Sequence, residues 1–194
     1  MKWMLLCTAL AGVLPAVAFA HPGLGSADSF AAGVAHPFMG VDHVAATLAV
    51  GFWAALKGQR AVWAWPATFV GMMFMGGALG MAHVAMPYVD AGILASIIVV
   101  GLLVMFAVDL PVAAGATIIG AFAFLHGHAH GSEVPGTVNG VTYMAGLGLA
   151  TAALLGLGIE LALPARGVLS GLPVRLAGGA CIVVGVGLSC GVLA

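Results

Sequence analysis

Long apolar runs separated by short polar breaks cover nearly the whole chain. A membrane-spanning helix needs about 20 mostly apolar residues. Six runs meet that requirement, at about residues 30–56, 61–86, 91–108, 112–130, 140–163 and 173–193. The breaks between them carry charged residues, prolines and glycines, which end apolar helices. We therefore predict an all-α, polytopic membrane protein with six transmembrane helices.

The first 20 residues have the pattern of a cleaved signal peptide. Lys2 is followed by an apolar run over residues 3–17 and then by Ala-Phe-Ala at 18–20. A basic start, an apolar core and small residues at the end are the features that a signal peptidase recognises. We predict cleavage just before His21, which leaves residues 21–194 as the six-helix transmembrane domain.

The distribution of basic residues predicts the orientation of the spans. A signal peptide places the mature N-terminus outside the cytoplasm, so the breaks after spans one, three and five face inward. These breaks and their edges hold every basic residue of the mature chain: Lys57, Arg60, Arg166 and Arg175. Cytoplasmic loops of membrane proteins carry such an excess of Lys and Arg. We expect a bacterial inner-membrane protein with both mature termini in the periplasm.

Two further residue types predict how the spans sit and pack. Trp53, Trp63 and Trp65 flank the first inward break, where an aromatic belt at the membrane–water boundary is expected. Gly76 and Gly80 on span two form a small-xxx-small face, which lets two membrane helices approach closely. We expect span two to pack against a neighbour through this face.

The composition excludes several classes of protein. Hydrophobic residues make up 63% of the chain and charged residues only 6%, whereas about 25% of a soluble domain is charged. So few charges could not cover the surface of a soluble domain, and a disordered chain has the opposite composition. Five scattered basic residues cannot neutralise a nucleic-acid backbone, so we expect the lipid bilayer as a partner and no nucleic acid.

Span one contains ionisable residues, which are costly inside a membrane and mark candidate functional sites. His36 and His43 are seven residues apart, which predicts one helical face and a separation of about 10 Å along the axis. Asp42 could bind a metal itself or orient an imidazole. Pro37 removes one backbone hydrogen bond near His36, and Gly40 leaves room for a guest between the histidines.

More imidazoles lie at the predicted outer ends of spans two and four. His83 is close to the end of span two, and His126, His128 and His130 end span four, with Glu133 after them. If the helix continues, His126 and His130 share a face and His128 points away; an extended backbone over this stretch is the alternative. We expect these side chains to form an ion entry path from the outer mouth towards the membrane centre.

The predicted cleavage adds a ligand at the new N-terminus, because His21 would carry a free α-amine beside its imidazole. Imidazole nitrogen with few thiolates suits Ni²⁺, Zn²⁺, Co²⁺ or Cu²⁺, whereas Ca²⁺ and Mg²⁺ prefer oxygen cages. The candidate metal ligands are therefore His21, His36, Asp42, His43, His83, His126, His128, His130 and Glu133.

Two stretches of the chain are similar to the signature motifs of the HupE/UreJ family of hydrogenase and urease accessory proteins. The first is His36-Pro37-x-x-Gly40-x-Asp42-His43, and the second is the histidine-rich stretch 125–133. The resemblance extends over the whole chain, including the signal peptide and the His-Pro pair that follows it. It implies a nickel, or cobalt, permease with these metal-handling residues: His36, Asp42, His43, His126, His128, His130 and Glu133.

The function predicted is secondary transport of a divalent transition metal into the cytoplasm for metalloenzyme maturation. The resemblance favours Ni²⁺, and the residues alone would equally suit Co²⁺ or Zn²⁺. No G-x-x-x-x-G-K-[ST] sequence is present, so P-loop ATP hydrolysis is not expected. We expect no enzymatic activity and no permanently bound cofactor.

Three alternative functions use the same residue types. An intramembrane zinc-dependent hydrolase would need three histidines, an aspartate and a general base, for which Ser132, Thr47 or Glu133 could be recruited. A haem protein would need paired histidines on two helices. A membrane metal sensor or chaperone would bind the metal without transporting it.

Overall fold

The computed structural model describes residues 26–164 and 171–192, and every regular element in these two ranges is helical. The α-helices are α1 Ser26–Ala35, α2 Val41–Lys57, α3 Ala61–Met81, α4 Val89–Met105, α5 Val112–Ser132, α6 Gly140–Ala162 and α7 Leu172–Ser189. A 3₁₀ turn, His36–Phe38, joins α1 to α2. The predicted signal peptide, His21 and Arg166 lie outside the described residues.

The prediction of an all-helical membrane protein is confirmed over the described residues. Helices α3 to α7 each begin within about two residues of a predicted span. Four of the described helices are long and apolar enough to cross a membrane: α3, α5, α6 and α7. The bent pair of α1 and α2 would count as a fifth span, and α4 is apolar but shorter, with 17 residues.

The first predicted span, residues 30–56, is not one continuous helix. The chain bends by 77° between α1 and α2. Pro37 lies in the 3₁₀ turn at the bend, and it lacks the N–H group that a helix interior needs. Gly40 has an extended backbone and is the N-cap residue directly before α2. The expected common helical face for His36 and His43 is therefore wrong, because the break lies between them.

The second predicted span, residues 61–86, also ends earlier than expected. Helix α3 ends at Met81, and His83 follows in a turn with φ of 53°. This is the left-handed region, which few residues other than glycine adopt. The His83 side chain is exposed. His83 therefore lies beyond the helix instead of inside the outer half of a span.

Helices α3 and α5 pack backbone against backbone. A Cβ atom at Gly76 would overlap with the carbonyl oxygen of Phe124, and one at Gly127 would overlap with that of Met73. Small residues allow such approaches in membranes, where helices associate by close packing. The face predicted from Gly76 and Gly80 therefore lies at the interface with α5.

The bundle has two chemically different ends. The histidine end contains the 3₁₀ turn His36–Phe38, the start of α4 and the end of α5. The tryptophan end contains the end of α2, the start of α3 and the loop between α4 and α5. The described basic residues all lie at the tryptophan end: Lys57, Arg60 and Arg175. Lys57 forms an ion pair there with Asp109.

Two buried tryptophans link neighbouring segments at the tryptophan end. Trp53 and Trp65 are fully buried with ring centroids 4.3 Å apart. Their indole N–H groups donate to the carbonyl oxygens of Val108 and Val112, both at 2.9 Å. The aromatic belt predicted for these two side chains is therefore wrong, because Trp53 binds the loop between α4 and α5 and Trp65 binds the first residue of α5. Trp63 is exposed, as a belt residue would be.

Substituting Gly127 tests the contact between α3 and α5. Gly127→Ala should lower the free energy of unfolding by about 1–3 kcal/mol, because the added methyl group overlaps with the Met73 carbonyl oxygen. Thermal unfolding of the purified variants in one detergent would measure the loss. Gly156→Ala on α6 is the matched control, since its Cβ would have nothing within 4 Å. Equal losses in both variants would contradict the role of close approach.

Candidate metal centre

Three histidines from three segments meet at the histidine end. His36 lies in the 3₁₀ turn, His43 in the first turn of α2 and His130 near the end of α5. Nε2 of His36 is 3.0 Å from Nδ1 of His130, and Nε2 of His130 is 2.9 Å from Nδ1 of His43. The break at Pro37 folds His36 back, so the imidazoles are neighbours and are not spread along one helix.

A cavity of about 430 Å³ opens beside these imidazoles. Its polar lining consists of His36, Asp42, His43, Asp90, His126, His130 and Glu133. Met39, Ile93 and Leu94 contribute apolar wall. One water molecule occupies about 30 Å³ of liquid volume, so the cavity has room for a divalent cation together with part of its hydration shell.

Glu133 completes a group of potential ligand atoms at the cavity mouth. Its Oε2 atom lies 3.6 Å from Nε2 of His36 and 3.9 Å from Nδ1 of His130. Ligand atoms of the three residues all lie within 4.8 Å of one another. The Glu133 side chain is 59% exposed. Glu133 is therefore the most exposed of the three residues.

Three carboxylates give the cavity a negative field. Burial, and then the neighbouring charges of Asp42 and Asp90, raise the pKa of Glu133 above its usual value. A Cβ atom at Gly40 would come 2.5 Å from Oδ1 of Asp42, so glycine at that position leaves space for the Asp42 carboxylate. Carboxylates that repel one another are stabilised when a divalent cation enters between them.

His126 has the hydrogen bonding of a histidine prepared to bind a metal. It is 1% exposed, and its Nδ1–H group donates to the Phe122 carbonyl oxygen at 3.1 Å. Its Nε2 atom is buried and has no hydrogen-bond partner among the described residues. Metal-binding histidines usually donate their second ring nitrogen in this way. His126 thus has one unpartnered ring nitrogen and is a lining residue of the cavity, with its ring 5.8 Å from that of His43.

The structure brings together most of the metal ligands predicted from the sequence. Those that line the cavity are His36, Asp42, His43, His126, His130 and Glu133. Two predicted ligands do not join them. His83 is exposed in the turn after α3, and His128 donates its Nε2–H group to the Val84 carbonyl oxygen at 2.7 Å. His21 lies outside the described residues.

Two residues of the centre were missed by the sequence reasoning. Asp90 lies in the first turn of α4 and lines the cavity. The sequence feature that could have identified Asp90 is its place at the predicted outer end of span three, on the same side of the membrane as the histidines. Oγ1 of Thr151 lies 3.1 Å from Nε2 of His43. A threonine within an apolar span gives no comparable signal, because most hydroxyls there bond to their own helix.

Comparisons with known proteins test the family resemblance that was stated from the two histidine motifs. The sequence model of the HupE / UreJ protein family matches residues 8–188. The chain belongs to the HupE/UreJ family. The Protein HupE of Rhizobium leguminosarum bv. viciae is 43% identical over 192 residues, which cover 98% of this chain and 100% of that relative. No solved structure matches this HupE/UreJ chain significantly. The family resemblance stated from the two motifs is confirmed.

Removing His130 should weaken metal binding more than removing any histidine outside the cavity. His130 contacts both His36 and His43, so His130→Ala should raise the dissociation constant for Co²⁺ about tenfold or more. The visible absorbance of bound Co²⁺ would measure this on the purified HupE/UreJ chain. His83→Ala, at an exposed position, is the control and should bind as the parent does. Equal binding by the parent and His130→Ala would exclude His130 as a ligand.

Asp90 should contribute to capture through its charge. Asp90→Asn keeps the side-chain size and removes one negative charge, so the apparent affinity for Co²⁺ should fall several-fold, with the largest difference at low ionic strength. Titrations at two salt concentrations would measure it. Glu160→Gln, at an exposed position on α6 outside the cavity lining, removes the same charge and should have little effect. Equal losses in both variants would indicate a general charge effect.

Proposed function

We propose that the chain is a secondary permease that carries a divalent transition metal from the periplasm to the cytoplasm, with Ni²⁺ as the preferred cargo. The observation that carries the proposal is the meeting of His36, His43 and His130 beside an open cavity in an apolar helical bundle. Ionisable residues at membrane depth mark ion pathways. The delivered metal would serve the maturation of metalloenzymes.

The donor set supports the choice of metal. Four imidazoles and three carboxylates line the cavity, and no cysteine is among its lining residues. Nitrogen-rich sites of this kind suit Ni²⁺, Co²⁺ and Zn²⁺. Family membership favours Ni²⁺ among them, and Co²⁺ and Zn²⁺ are the competing cargoes. The metal is a substrate that passes through and is not a resident cofactor.

The geometry supports an order of contacts for the metal. Glu133, His36 and His130 would take the hydrated ion at the mouth, aided by the charge of Asp90. Asp42, His43 and His126 would then replace further water molecules. His21 would act before them as a capture ligand at the mature N-terminus. His83 and His128 have no part in this path.

The proposed topology has six crossings, with the bent pair of α1 and α2 as the first. A cleaved signal peptide over residues 1–20 would place the mature N-terminus in the periplasm, and an even number of crossings returns the C-terminus there. The position of Lys57, Arg60 and Arg175 at the tryptophan end supports this orientation, since basic residues favour the cytoplasmic side. The histidine end would then face the periplasm.

The membrane potential alone would supply sufficient energy for uptake. A dication moving inward gains about 4.6 kcal/mol per 100 mV, which is twice the value for one charge. At about 1.4 kcal/mol per tenfold, this supports an accumulation of roughly a thousandfold. Modest affinity suits such a permease, because an ion that binds too tightly does not leave.

The zinc-hydrolase alternative is not favoured by the hydroxyl groups near the cavity. Thr47 donates to the carbonyl oxygen of His43, and Ser132 donates to that of Ala129. Neither residue lines the cavity, whereas Glu133, the third candidate, lies at its mouth as part of the group of potential ligands. A hydrolase would also have to bring a scissile bond to the metal, whereas a permease requires only the ligands that are present. We therefore propose that the chain is not an enzyme.

Radioactive nickel uptake into bacteria that lack their own nickel importers tests the proposal. At submicromolar metal, cells with the parent chain should accumulate nickel, and cells with His43→Ala should match cells without the chain. His83→Ala is the control for histidine loss outside the cavity and should transport normally. All variants should be present in the membrane at equal amounts. Absence of uptake by a well-expressed parent would overturn the nickel assignment, and parallel assays with cobalt and zinc would identify another cargo.

A further inference from the structure

A line of hydrogen-bonding groups continues from the metal centre into the core of the bundle. It runs from His36 to His130 and from His130 to His43. Nε2 of His43 then lies 3.1 Å from Oγ1 of Thr151, which itself lies 3.7 Å from Sδ of Met73. Thr151 and Met73 are fully buried. The line therefore ends at a thioether that water does not reach.

The thioether gives this line a direction. Methionine sulfur accepts hydrogen bonds and has no proton to donate. With the Thr151 hydroxyl donating to Sδ of Met73, its lone pairs face His43, so the His43 nitrogen beside it acts as the donor, Nε2–H. A neutral imidazole carries only one proton. Nδ1 of His43 is therefore bare.

The same argument extends to the next ring. The unprotonated Nδ1 of His43 accepts from Nε2–H of His130, which leaves Nδ1 of His130 unprotonated, as the acceptor for Nε2–H of His36 at 3.0 Å. That atom lies 3.9 Å from Oε2 of Glu133, within the group of potential ligands at the mouth. Each ring thus directs its N–H group inward, and its unprotonated nitrogen accepts a hydrogen bond from the ring before it in the line.

Thr151 differs from other threonines in the described helices. Thr47, Thr68 and Thr117 donate their hydroxyl groups to carbonyl oxygens of their own helices, three or four residues earlier. This is the usual arrangement for a threonine in an apolar helix. The Thr151 hydroxyl instead reaches from α6 to residues on α2 and α3. Its role is therefore in the contact between helices.

We infer that Thr151, supported by Met73, is a positioning residue that sets the tautomers of His43 and His130, so that the unprotonated nitrogen of each ring lies on its outward side in the line. The transport part of this inference rests on the proposed function, whereas the tautomer part does not. An unprotonated ring nitrogen binds the ion without losing a proton, once the neighbouring ring that donates to it turns away. Thr151 does not touch the metal in this arrangement.

Two variants of Thr151 test the inference. Thr151→Val removes the hydroxyl group and keeps the shape, whereas Thr151→Ser keeps the hydroxyl group. Thr68→Val is the matched control, because that hydroxyl bonds only within its own helix. Met73→Leu removes the thioether acceptor and leaves Thr151 in place. Each chain is purified in full length, in one detergent, after its amount in the membrane has been measured.

The direct readout is the ¹⁵N spectrum of the histidine rings without metal, which distinguishes protonated from bare nitrogens. The His43 signals are identified by their loss in His43→Gln. The parent and Thr151→Ser should show His43 protonated at Nε2. Thr151→Val should show a mixture of both tautomers, and Met73→Leu a smaller change in the same direction. A His43 tautomer unchanged in Thr151→Val and Met73→Leu would overturn the inference.

Nickel uptake provides the second readout. Thr151→Val should raise KM about tenfold with a maximal rate within about twofold of the parent, because residues that orient ligands change metal affinity 10–100-fold. Thr151→Ser and Thr68→Val should match the parent. An unchanged KM in Thr151→Val would overturn the role in transport. If the parent itself takes up no nickel, the proposed function fails, while the ¹⁵N spectra still decide the role of Thr151. If the Thr151→Val chain does not accumulate in the membrane, the ¹⁵N spectra of Thr151→Ser and Met73→Leu decide the role of Thr151.

Discussion

Carbonyl oxygens of α3 lie against Gly127 and Gly131 of α5, and this contact fixes the rotation of α5 about its axis. Successive residues of a helix are about 100° apart. His126 and His130 each precede one of these glycines, so both lie about 100° to one side of the contact face, on the side of the cavity. His128 follows Gly127 and turns the other way, to the carbonyl oxygen of Val84. A side chain larger than hydrogen at either glycine would displace the helix that carries two rings of the candidate metal centre.

The bend between α1 and α2 supplies the other half of the centre. On a straight helix, His36 and His43 would be about 10 Å apart, too far for one ion to bind both. The bend at Pro37 brings them to opposite sides of His130, at 3.0 and 2.9 Å. An interrupted helix at the ion site is a recurrent feature of transporters. The backbone at the bend has room for a carboxylate because residue 40 is glycine.

Much of this arrangement could be predicted from the sequence, and the remainder depends on contacts between helices. Hydropathy located the helices, and the cost of a buried charge identified the histidines as functional. The same hydropathy ran through Pro37 without a break, so the bend was missed. Trp53 and Trp65 were assigned to the membrane surface because they flank a predicted break between spans. The carbonyl oxygens that accept from their indole N–H groups come close to them only in the three-dimensional structure. Thr151 became significant only when α6 brought it to His43.

The contact between Trp53 and Trp65 has a consequence for how structural changes in this protein can be observed. The chain has four tryptophans; Trp3 belongs to the predicted signal peptide and Trp63 is exposed. Trp53 and Trp65, with centroids 4.3 Å apart, are close enough for their electronic transitions to couple. Their near-ultraviolet circular dichroism would depend on the distance between α2 and α3 at the end remote from the histidines. The described residues thus contain an optical probe of one end of the bundle, with the candidate metal centre at the other.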